Sequence, residues 1–377
     1  MANETKKLGF GLMRLPVIDG NPENIDIPEV CKMVDLFLER GFTYFDTAWA
    51  YHNGKSEVAA REALIKRHPR DSFTLADKLP TFAITQKEQV QQFFEESLER
   101  SGAGYFDYYL LYNLNEFIYD GIVKDFGMFE AMQAWKSQGK IRHIGFSFHD
   151  NAETLDRILT DHPEVEFVQI CVNYLDWEHW SVQARKCYEV IRKHGKRVVV
   201  MESVKGGTLA SLPEDVEKLL RDQAPDRSPV EWSLRFGASL PGVLAALSGM
   251  STLEQVDQNT RSMQDFRPLE ESDRAVLAKA AALMDSKVKY PLTDAGQLKD
   301  VCPKGIRVAD FIQYYNEATQ EVNLAFSSEL NYYKLLKRRS APISACDRCG
   351  KCAGLCPGAD VPAALKEAEA FFEKYGF

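Results

Sequence analysis

The sequence predicts an α/β protein: a closed (β/α)8 barrel of the TIM type, followed by a small, mostly helical domain rich in cysteine. Short apolar segments alternate with helical segments eight times over about the first 265 residues. The 377-residue chain is long enough for a large barrel and a second module. Five of its eight cysteines lie beyond residue 300, which sets the last part of the chain apart.

The eight predicted strands are short apolar runs that end at a polar residue or a turn, at residues 8–12, 42–46, 73–78, 105–112, 141–147, 166–170, 197–202 and 243–248. Amphipathic spacing predicts helices over residues 30–38, 56–67, 86–101, 129–137, 152–159, 180–194 and 230–236, and a last barrel helix from about residue 252. Eight such units suit a closed barrel better than an open doubly wound sheet. No GxGxxG follows a strand, so a Rossmann nucleotide site is not predicted.

Composition excludes several classes of partner. A net charge of −9 argues against a general nucleic-acid binder, which needs a basic surface. No apolar run reaches membrane-spanning length, and the N-terminus lacks the apolar core of a signal peptide. We therefore expect a cytoplasmic protein without a nucleic-acid or membrane partner.

The candidate catalytic residues follow from the barrel. The ends of strands two, three and four bring Asp46, Lys78 and Tyr112 to one rim, and Tyr51 follows on the loop after strand two. Asp46 is predicted to hold Lys78 by an ion pair, and the lysine to lower the pKa of Tyr51 from its usual value near ~10. Such a group is a general acid for carbonyl reduction. The alternative is a purely structural ion pair at the barrel mouth.

Several motifs occur in a fixed order along the chain: GFGLMRLP (9–16), GFTYFDTAWAY (41–51) with Ser56-Glu57 after it, Lys78, GKIRHIGFS (139–147), QICVNYLD (169–176), and Gly249-Met250 followed by Gln255 and Asn259. From Leu8 to about Ser262 the chain thereby resembles the aldo/keto reductase family. The resemblance implies a (β/α)8 barrel, a nicotinamide cofactor, NADP(H) or NAD(H), and a small carbonyl or alcohol substrate. It also implies a catalytic tetrad, which maps onto Asp46, Tyr51, Lys78 and Tyr112.

The tetrad departs from the family pattern at its last position, where Tyr112 replaces the family's histidine. A phenol can still donate a hydrogen bond, but it is longer than an imidazole. His149, just after strand five, either substitutes for the missing histidine or is a solvated loop residue.

The resemblance also implies the cofactor contacts, which are Ser147, Gln169, Lys205, Gly206, Gly207, Gly249, Ser251, Thr252, Gln255 and Asn259. Ser147 and Gln169 would meet the nicotinamide carboxamide. Phosphates would lie near the Lys205 segment and near Ser251, where a helix begins. Gly249 and Gln255 stand where the family often has Lys and Arg for a 2′-phosphate, so the choice between NADPH and NADH stays open.

The cysteine-rich segment reads C-x2-C-x2-C-x3-C-P, which indicates a [4Fe–4S] cluster in a small, mostly helical iron–sulfur domain. In such motifs the fourth ligand usually comes from a second Cys-Pro, and Cys302-Pro303 is one. The sister loop would place cysteines at Leu292, Ala295 and Leu298, and these have been lost. The predicted ligands are Cys302, Cys346, Cys349 and Cys352.

Two alternatives remain for this metal site: Cys356 as the fourth ligand in place of Cys302, and zinc in place of the cluster. The segment resembles the helical ferredoxin-like domain appended to a subset of aldo/keto reductases. We therefore divide the chain into a barrel, residues 1–266, and an iron–sulfur domain, residues 267–377.

The resulting hypothesis is an NAD(P)-dependent oxidoreductase whose cluster is either an electron port, served by an electron-carrier protein, or a structural element. Hydride carries two electrons and a cubane usually one, so an electron port would call for a flavin between them. The alternative is a catalytically weakened, cofactor-binding or regulatory subunit with a structural cluster.

Overall fold

The computed structural model describes residues 6–180, 182–293, 301–322 and 328–376, which fall into two compact units. The first unit comprises Met1–Asn173, Ala184–Ser203 and Val230–Leu269. The second comprises Tyr174–Gln183, Val204–Pro229 and Glu270–Phe377. Two segments that lie between barrel strands in the sequence therefore group with the C-terminal third of the chain.

The first unit contains a closed parallel barrel in which each strand pairs with the next in the chain and the eighth pairs with the first. The strands are β1 Leu8–Gly11, β2 Tyr44–Asp46, β3 Thr74–Leu79, β4 Phe106–Leu114, β5 Ile141–Phe148, β6 Phe167–Cys171, β7 Arg197–Met201 and β8 Val243–Ser248. Every predicted strand is present and its ends differ by two residues at most, so the predicted (β/α)8 barrel is confirmed.

The helices are, in chain order, α1 Ile27–Glu39, α2 Ser56–Ala60, α3 Glu88–Ser101, α4 Glu116–Ile118, α5 Met128–Ser137, α6 Ala152–Asp161, α7 Ala184–Lys193, α8 Glu214–Gln223, α9 Pro229–Ala238, α10 Leu253–Gln264, α11 Glu271–Asp285, α12 Val308–Gln320, α13 Ser328–Arg339 and α14 Val361–Glu373. The predicted barrel helices are all present. The α2 helix continues as a π-helical turn, Arg61–Ile65, which together match the single predicted helix.

The polar side chains of the candidate site lie in the barrel interior, next to an apolar layer. Seven side chains fill its core layer, and they are Tyr44, Ala76, Leu110, Phe167, Val199, Ala245 and Leu247. Because side chains alternate along a strand, the position two residues further on faces inward again. Those positions on β2, β3, β4 and β6 are Asp46, Lys78, Tyr112 and Gln169. The candidate site is thus the next layer of the barrel, at the carboxyl ends of its strands.

The second unit is built around α12, most of whose side chains are buried. Ring contacts join it to the two helices that follow: Phe311 packs edge-on against Tyr333 of α13 at 5.7 Å, and Tyr315 packs edge-on against Phe371 of α14 at 5.4 Å. Helices α12 and α14 follow the two Cys-Pro pairs, at residues 302–303 and 356–357, whereas α8 and α13 were not predicted. No helix in the described part of the chain is both long and apolar enough to span a membrane.

Candidate active site

Asp46 and Lys78 form a buried ion pair at the ends of β2 and β3. Lys78 Nζ lies 2.5 Å from Asp46 Oδ1 and 2.7 Å from the carbonyl oxygen of Thr47. The lysine and aspartate side chains are only 1% and 3% exposed. The other Asp46 oxygen accepts a hydrogen bond from Gln169 Nε2 at 3.3 Å. Burial raises the pKa of Asp46, although Lys78 and Gln169 act to lower it. The predicted ion pair is present and is shielded from water.

Tyr51 lies next to this pair, with Lys78 Nζ 4.8 Å from the centre of its ring. Burial raises the pKa of Tyr51 well above its usual value; the charges of Asp46 and Glu202 raise it further, and Arg14 lowers it. The predicted net lowering of the Tyr51 pKa is therefore wrong, because desolvation and nearby carboxylates dominate. Tyr51 keeps its proton at neutral pH, as a general acid must.

The turn that carries Tyr51 is fixed by the next residue. Tyr51–Gly54 is a short 3-10 turn in which His52 adopts a left-handed conformation, with φ of 52°. Its ring Nε2 accepts a hydrogen bond from the amide of Leu15 at 3.1 Å, so Nδ1 carries the proton and donates to the carbonyl of Pro22 at 2.8 Å. These bonds tie the turn to the segment after β1.

Tyr112 stands at an irregularity in β4. Between the register pairs Leu111–Phe146 and Leu114–Phe148, β4 has two residues, Tyr112 and Asn113, whereas β5 has one. Asn113 has φ of 59°, and such bulges redirect side chains next to functional sites. The ring of Tyr112 lies 6.4 Å from that of Tyr51 and 5.8 Å from that of Phe82, which is 53% exposed. The structure thus brings all four predicted tetrad positions together.

His149 is buried, with 8% of its surface exposed. Its amide donates to the carbonyl of Leu114 at 3.0 Å, and its ring Nδ1 lies 3.9 Å from Cys171 Sγ. Burial lowers the pKa of His149 to about 4, so the ring is neutral at physiological pH. The solvated-loop alternative is therefore wrong, and a substitute role for this histidine stays a prediction.

Ser147 and Gln169 are register partners on β5 and β6, and both are almost fully buried. Ser147 Oγ accepts a hydrogen bond from the amide of Asn113 at 2.7 Å. Gln169 Oε1 is buried and has no hydrogen-bond partner within the described residues. A buried amide oxygen without a partner is expected to accept a hydrogen bond from a bound group. The pair therefore fits the carboxamide of a nicotinamide ring.

The loop after β8 forms a capped helix start. Thr252 accepts a hydrogen bond from the amide of Gln255 at 3.2 Å, and the side chain of Gln255 accepts one from the amide of Ser251 at 2.7 Å. Ser251 Oγ donates to the carbonyl of Arg14 at 2.6 Å, and Asn259 donates to a buried serine of β8 at 3.1 Å. Thr252 and Gln255 therefore cap the start of α10 together, and Gln255 occupies a position where the family often has an arginine.

Arg14 is a candidate that the sequence did not reveal. A Cβ placed on Gly249 would lie 3.2 Å from Arg14 Cδ, so the arginine stem covers this glycine. The space that a family lysine side chain would use at Gly249 is thus taken by a basic side chain from the segment after β1. The two residues are 235 positions apart, and no sequence spacing signals such a contact.

In the second unit, Lys205 is surrounded by carboxylates. Its Nζ lies 2.8 and 3.0 Å from the two oxygens of Asp176 and 2.5 Å from Glu329 Oε1, with a third carboxylate at 3.8 Å. Burial would lower the pKa of Lys205, but these charges raise it well above its usual value. Gly206 and Gly207 follow with φ of 62° and 103°. A phosphate contact at this segment stays a prediction.

The second unit also contains the cysteine-rich segment. Cys302, Cys346, Cys349 and Cys352 line one pocket. Burial raises the pKa of Cys352, and the charges of the other three thiols add to that effect, as expected for neighbours. Cys356 is 1% exposed and is not among the described residues that line this pocket. Burial raises its pKa to about 11, which marks a protonated core thiol.

A tight turn presents these thiols. Gly350 has φ of 76°, and Asp347 Oδ1 accepts a hydrogen bond from the amide of Cys349 at 3.2 Å. In the described ranges, no three His, Cys, Asp or Glu side chains are spaced to hold a single metal ion.

The sister-loop positions Ala295 and Leu298, where the lost cysteines were predicted, lie outside the described residues.

Comparison with known proteins decides the family. The family model described as "Aldo/keto reductase family" matches residues 7–282. The chain belongs to the aldo/keto reductase family. It is an oxidoreductase of this type. The family match ends at residue 282, so the cysteine-rich segment lies beyond it.

Several known proteins are similar to this chain over about three quarters of its length. An uncharacterized oxidoreductase of Bacillus subtilis is 23% identical over 72% of this chain and 92% of its own length. A holo-form aldo-keto reductase from Bacillus halodurans is 26% identical, covers 73% of this chain and 91% of itself, and superposes with a TM-score of 0.59. An aldo-keto reductase from Klebsiella pneumoniae, solved with NADPH, is 20% identical, covers 72% of this chain and 90% of itself, and has a TM-score of 0.58, which shows the shared fold.

Within this aldo/keto reductase, hydrogen bonds from residues outside the tetrad fix the strand ends that carry it, and no role was predicted for these residues. Thr47 Oγ1 lies 2.8 Å from Ser56 Oγ, and Ser56 Oγ donates to the carbonyl of Leu12 at 2.9 Å. These bonds connect the ends of β1 and β2 with the start of α2. The position of Ser56 in the motif was visible in the sequence, but its partners were not.

Proposed function

We propose that this reductase transfers hydride between a nicotinamide dinucleotide and a small carbonyl or alcohol, with Tyr51 as general acid. The observation that carries the proposal is the buried Asp46–Lys78 pair, whose ammonium group faces the ring of Tyr51 at 4.8 Å. A purely structural ion pair would not require a protonated tyrosine beside it.

In the reducing direction, Tyr51 binds the substrate carbonyl oxygen through its hydroxyl and donates the proton as negative charge develops there. The nicotinamide cofactor, when bound, supplies the hydride. Lys78 then stabilises the phenolate left on Tyr51, because its charge is fixed close to the ring and excluded from water. Asp46 holds Lys78 in place through their 2.5 Å hydrogen bond.

The substrate side of the site is aromatic. Tyr112 and Phe82 contact each other edge to face at 5.8 Å, and Tyr112 also contacts Tyr51. An apolar or aromatic carbonyl compound fits this lining, with the hydroxyl of Tyr112 able to donate to its oxygen. Tyr112 would thus replace the family's histidine by orienting the substrate rather than by moving a proton.

We propose NADP(H) as the cofactor, with NAD(H) as the competitor. The Klebsiella pneumoniae neighbour was solved with NADPH. In this chain, Gln169 and Ser147 would hold the carboxamide, and Arg14 would supply positive charge beside Gly249. The remaining contacts proposed from the family in the first unit are Ser251, Thr252, Gln255 and Asn259.

The test is the Tyr51→Phe variant, which removes one hydroxyl and keeps the ring. We expect kcat for NADPH-dependent reduction of 4-nitrobenzaldehyde to fall at least about 100-fold, since general acids contribute ~10²–10⁴. The Kd for NADPH should stay unchanged. Tyr44→Phe is the matched control, because Tyr44 is a buried tyrosine of the barrel core layer. Equal kcat in Tyr51→Phe and the wild type would refute the role of Tyr51.

A second candidate function rests on Tyr112. Without the family's histidine the chain could be a cofactor-binding or regulatory subunit with weakened catalysis. This alternative predicts NADPH binding without measurable turnover in the wild type across aromatic and aliphatic aldehydes. Turnover that disappears in Tyr51→Phe would reject it.

We also propose that residues 267–377 form an iron–sulfur domain with one [4Fe–4S] cluster on Cys302, Cys346, Cys349 and Cys352. Support comes from the pocket that these four thiols line and from the exclusion of Cys356 from it. The compact CxxCxxC loop with a distant Cys-Pro favours a cubane, whereas zinc more often uses two separated CxxC pairs. The cluster would supply one-electron chemistry or a covalent staple. Reduced thiols fit the predicted cytoplasmic location.

The cluster assignment is tested by iron content. Cys302→Ser and Cys356→Ser form a matched pair, because each removes one thiol next to a proline. The wild type and Cys356→Ser should hold about four irons per chain after anaerobic reconstitution, and Cys302→Ser should hold fewer. The reverse pattern would move the fourth ligand to Cys356. If the protein instead contained stoichiometric zinc and no iron, the four thiols would form a zinc site and the cluster assignment would be wrong.

A further inference from the structure

Basic side chains gather around the cysteine pocket of an otherwise acidic chain. Between residues 330 and 351 there are six Lys or Arg residues and one acidic residue, although the whole chain has a net charge of −9. The six are Lys334, Lys337, Arg338, Arg339, Arg348 and Lys351. All are exposed to solvent except Arg339, which is partly buried.

Three segments bring these charges to the pocket. Arg348 and Lys351 themselves line it. Lys304, two residues after Cys302, is exposed and pairs with Asp347 at 3.3 Å. The end of α13, where three of the basic residues lie, is joined to the same loop by a hydrogen bond from the amide of Ala341 to the carbonyl of Gly305 at 3.1 Å. The basic end of α13 is thus joined to the pocket loop, and at the pocket itself Arg348 pairs with Asp360 at 2.8 Å while Lys351 is exposed.

The pocket reaches the surface at one of its thiols. Cys349 is exposed, whereas Cys352 is buried and the other two are partly buried. A cluster held there would present one edge to solvent beside Lys351 and Arg348. An exposed edge is not needed by a cluster that only staples a domain, but it is needed for electron exchange with another protein.

We propose that this basic surface around Cys349 docks an acidic one-electron carrier protein. The proposal rests on the proposed cluster. One electron passes from the reduced carrier to the cluster, which goes from its 2+ to its 1+ state while the carrier is oxidised; no proton moves and no bond forms. Opposite surface charges speed such an encounter and make its rate depend on ionic strength.

The experiment measures cluster reduction by stopped-flow absorbance in the reconstituted full-length protein, with a reduced plant-type [2Fe–2S] ferredoxin as the acidic carrier. The test variant is Arg348→Glu/Lys351→Glu. The control is Lys66→Glu/Lys218→Glu, which changes the same charge at two exposed lysines far from the cysteines in sequence. We expect the second-order rate constant to fall about tenfold in the test variant at low salt and to change little in the control. The difference should disappear near 1 M salt, where the Debye length is about 3 Å.

Each other outcome overturns the proposal in a distinguishable way. Equal rates in the test and control variants, or no dependence on salt in the wild type, would reject the docking surface. Tighter binding of duplex DNA than of the carrier, lost in the test variant, would make the surface a nucleic-acid site. Dithionite reduces a cluster without docking, so an absent EPR signal after dithionite would reject the cluster itself and the docking proposal with it.

Discussion

Replacement of Lys78 by Met isolates the electrostatic role of the barrel mouth. Met keeps the apolar stem but removes the donor to Asp46 at 2.5 Å and to the Thr47 carbonyl at 2.7 Å. Breaking one side of a buried ion pair typically costs about 3–5 kcal/mol, because the remaining charge is uncompensated. The Asp46 side chain is 3% exposed, so water cannot take over from the lysine. We expect a loss of stability in this range at pH 8.

The loss of stability in Lys78→Met should grow as pH rises. Burial already raises the folded-state pKa of Asp46, and without Lys78 that pKa is raised further. Between the unfolded value near ~3.9 and the raised folded value, the folded state binds more protons than the unfolded state. Stability therefore falls as pH rises through this window. Lys78→Met should lose more stability than the wild type does between pH 5 and pH 8.

The assay is urea unfolding followed by tryptophan fluorescence at pH 5, 6.5 and 8. The double variant Asp46→Asn/Lys78→Met is the matched control, since it removes both charges from the same space. It should be more stable than Lys78→Met at pH 8, and the gap should shrink at pH 5. Equal destabilisation of Lys78→Met at pH 5 and pH 8 would refute the reasoning, because the cost would then come from packing.

Three further predictions follow from the described contacts. The folded-state pKa of His149, about 4, lies below its unfolded value of 6.5, so this residue should cost up to about 3 kcal/mol as pH falls from 6.5 to 4; His149→Gln should flatten this loss in urea midpoints, and an unchanged pH slope would contradict it. Lys205→Met should destabilise the second unit by about 3–5 kcal/mol, since Asp176 and Glu329 stay buried without their cation; faster amide exchange in α13 would show this, and unchanged protection would count against it. Arg14→Leu should raise the Kd for NADPH at least about tenfold in calorimetry, the amount expected for a charged hydrogen bond, and equal affinities would remove Arg14 from the cofactor site.

The barrel could be predicted because its signal is local. Each strand is a short apolar run, and each amphipathic helix shows its own period, so the eight units could be counted in the sequence. The layer that carries Asp46 and Lys78 follows from the same alternation. Their ion pair needed only the rule that parallel strands deliver their ends to one rim.

The remaining features depend on contacts between distant residues. The pKa of Tyr51 rises because burial and carboxylates outweigh Lys78, and that balance requires distances. The bulge beside Tyr112 is a register offset between two strands, which neither strand shows alone. Arg14 covers Gly249 across 235 positions. The burial of His149 likewise depends on neighbours that its own loop does not contain.

The grouping of loops 174–183 and 204–229 with the C-terminal helices has a consequence for synthesis of the chain. Every barrel strand has been made by residue 248, but Glu329 comes 124 residues after its partner Lys205. At ~5–20 residues per second, the ribosome needs about 6–25 s to supply it. During that interval Lys205 lacks its Glu329 partner, and the two loops lack the last helices of the unit to which they belong. A nascent chain stalled after the barrel would therefore present these loops to chaperones or proteases, even though every strand of the barrel is complete.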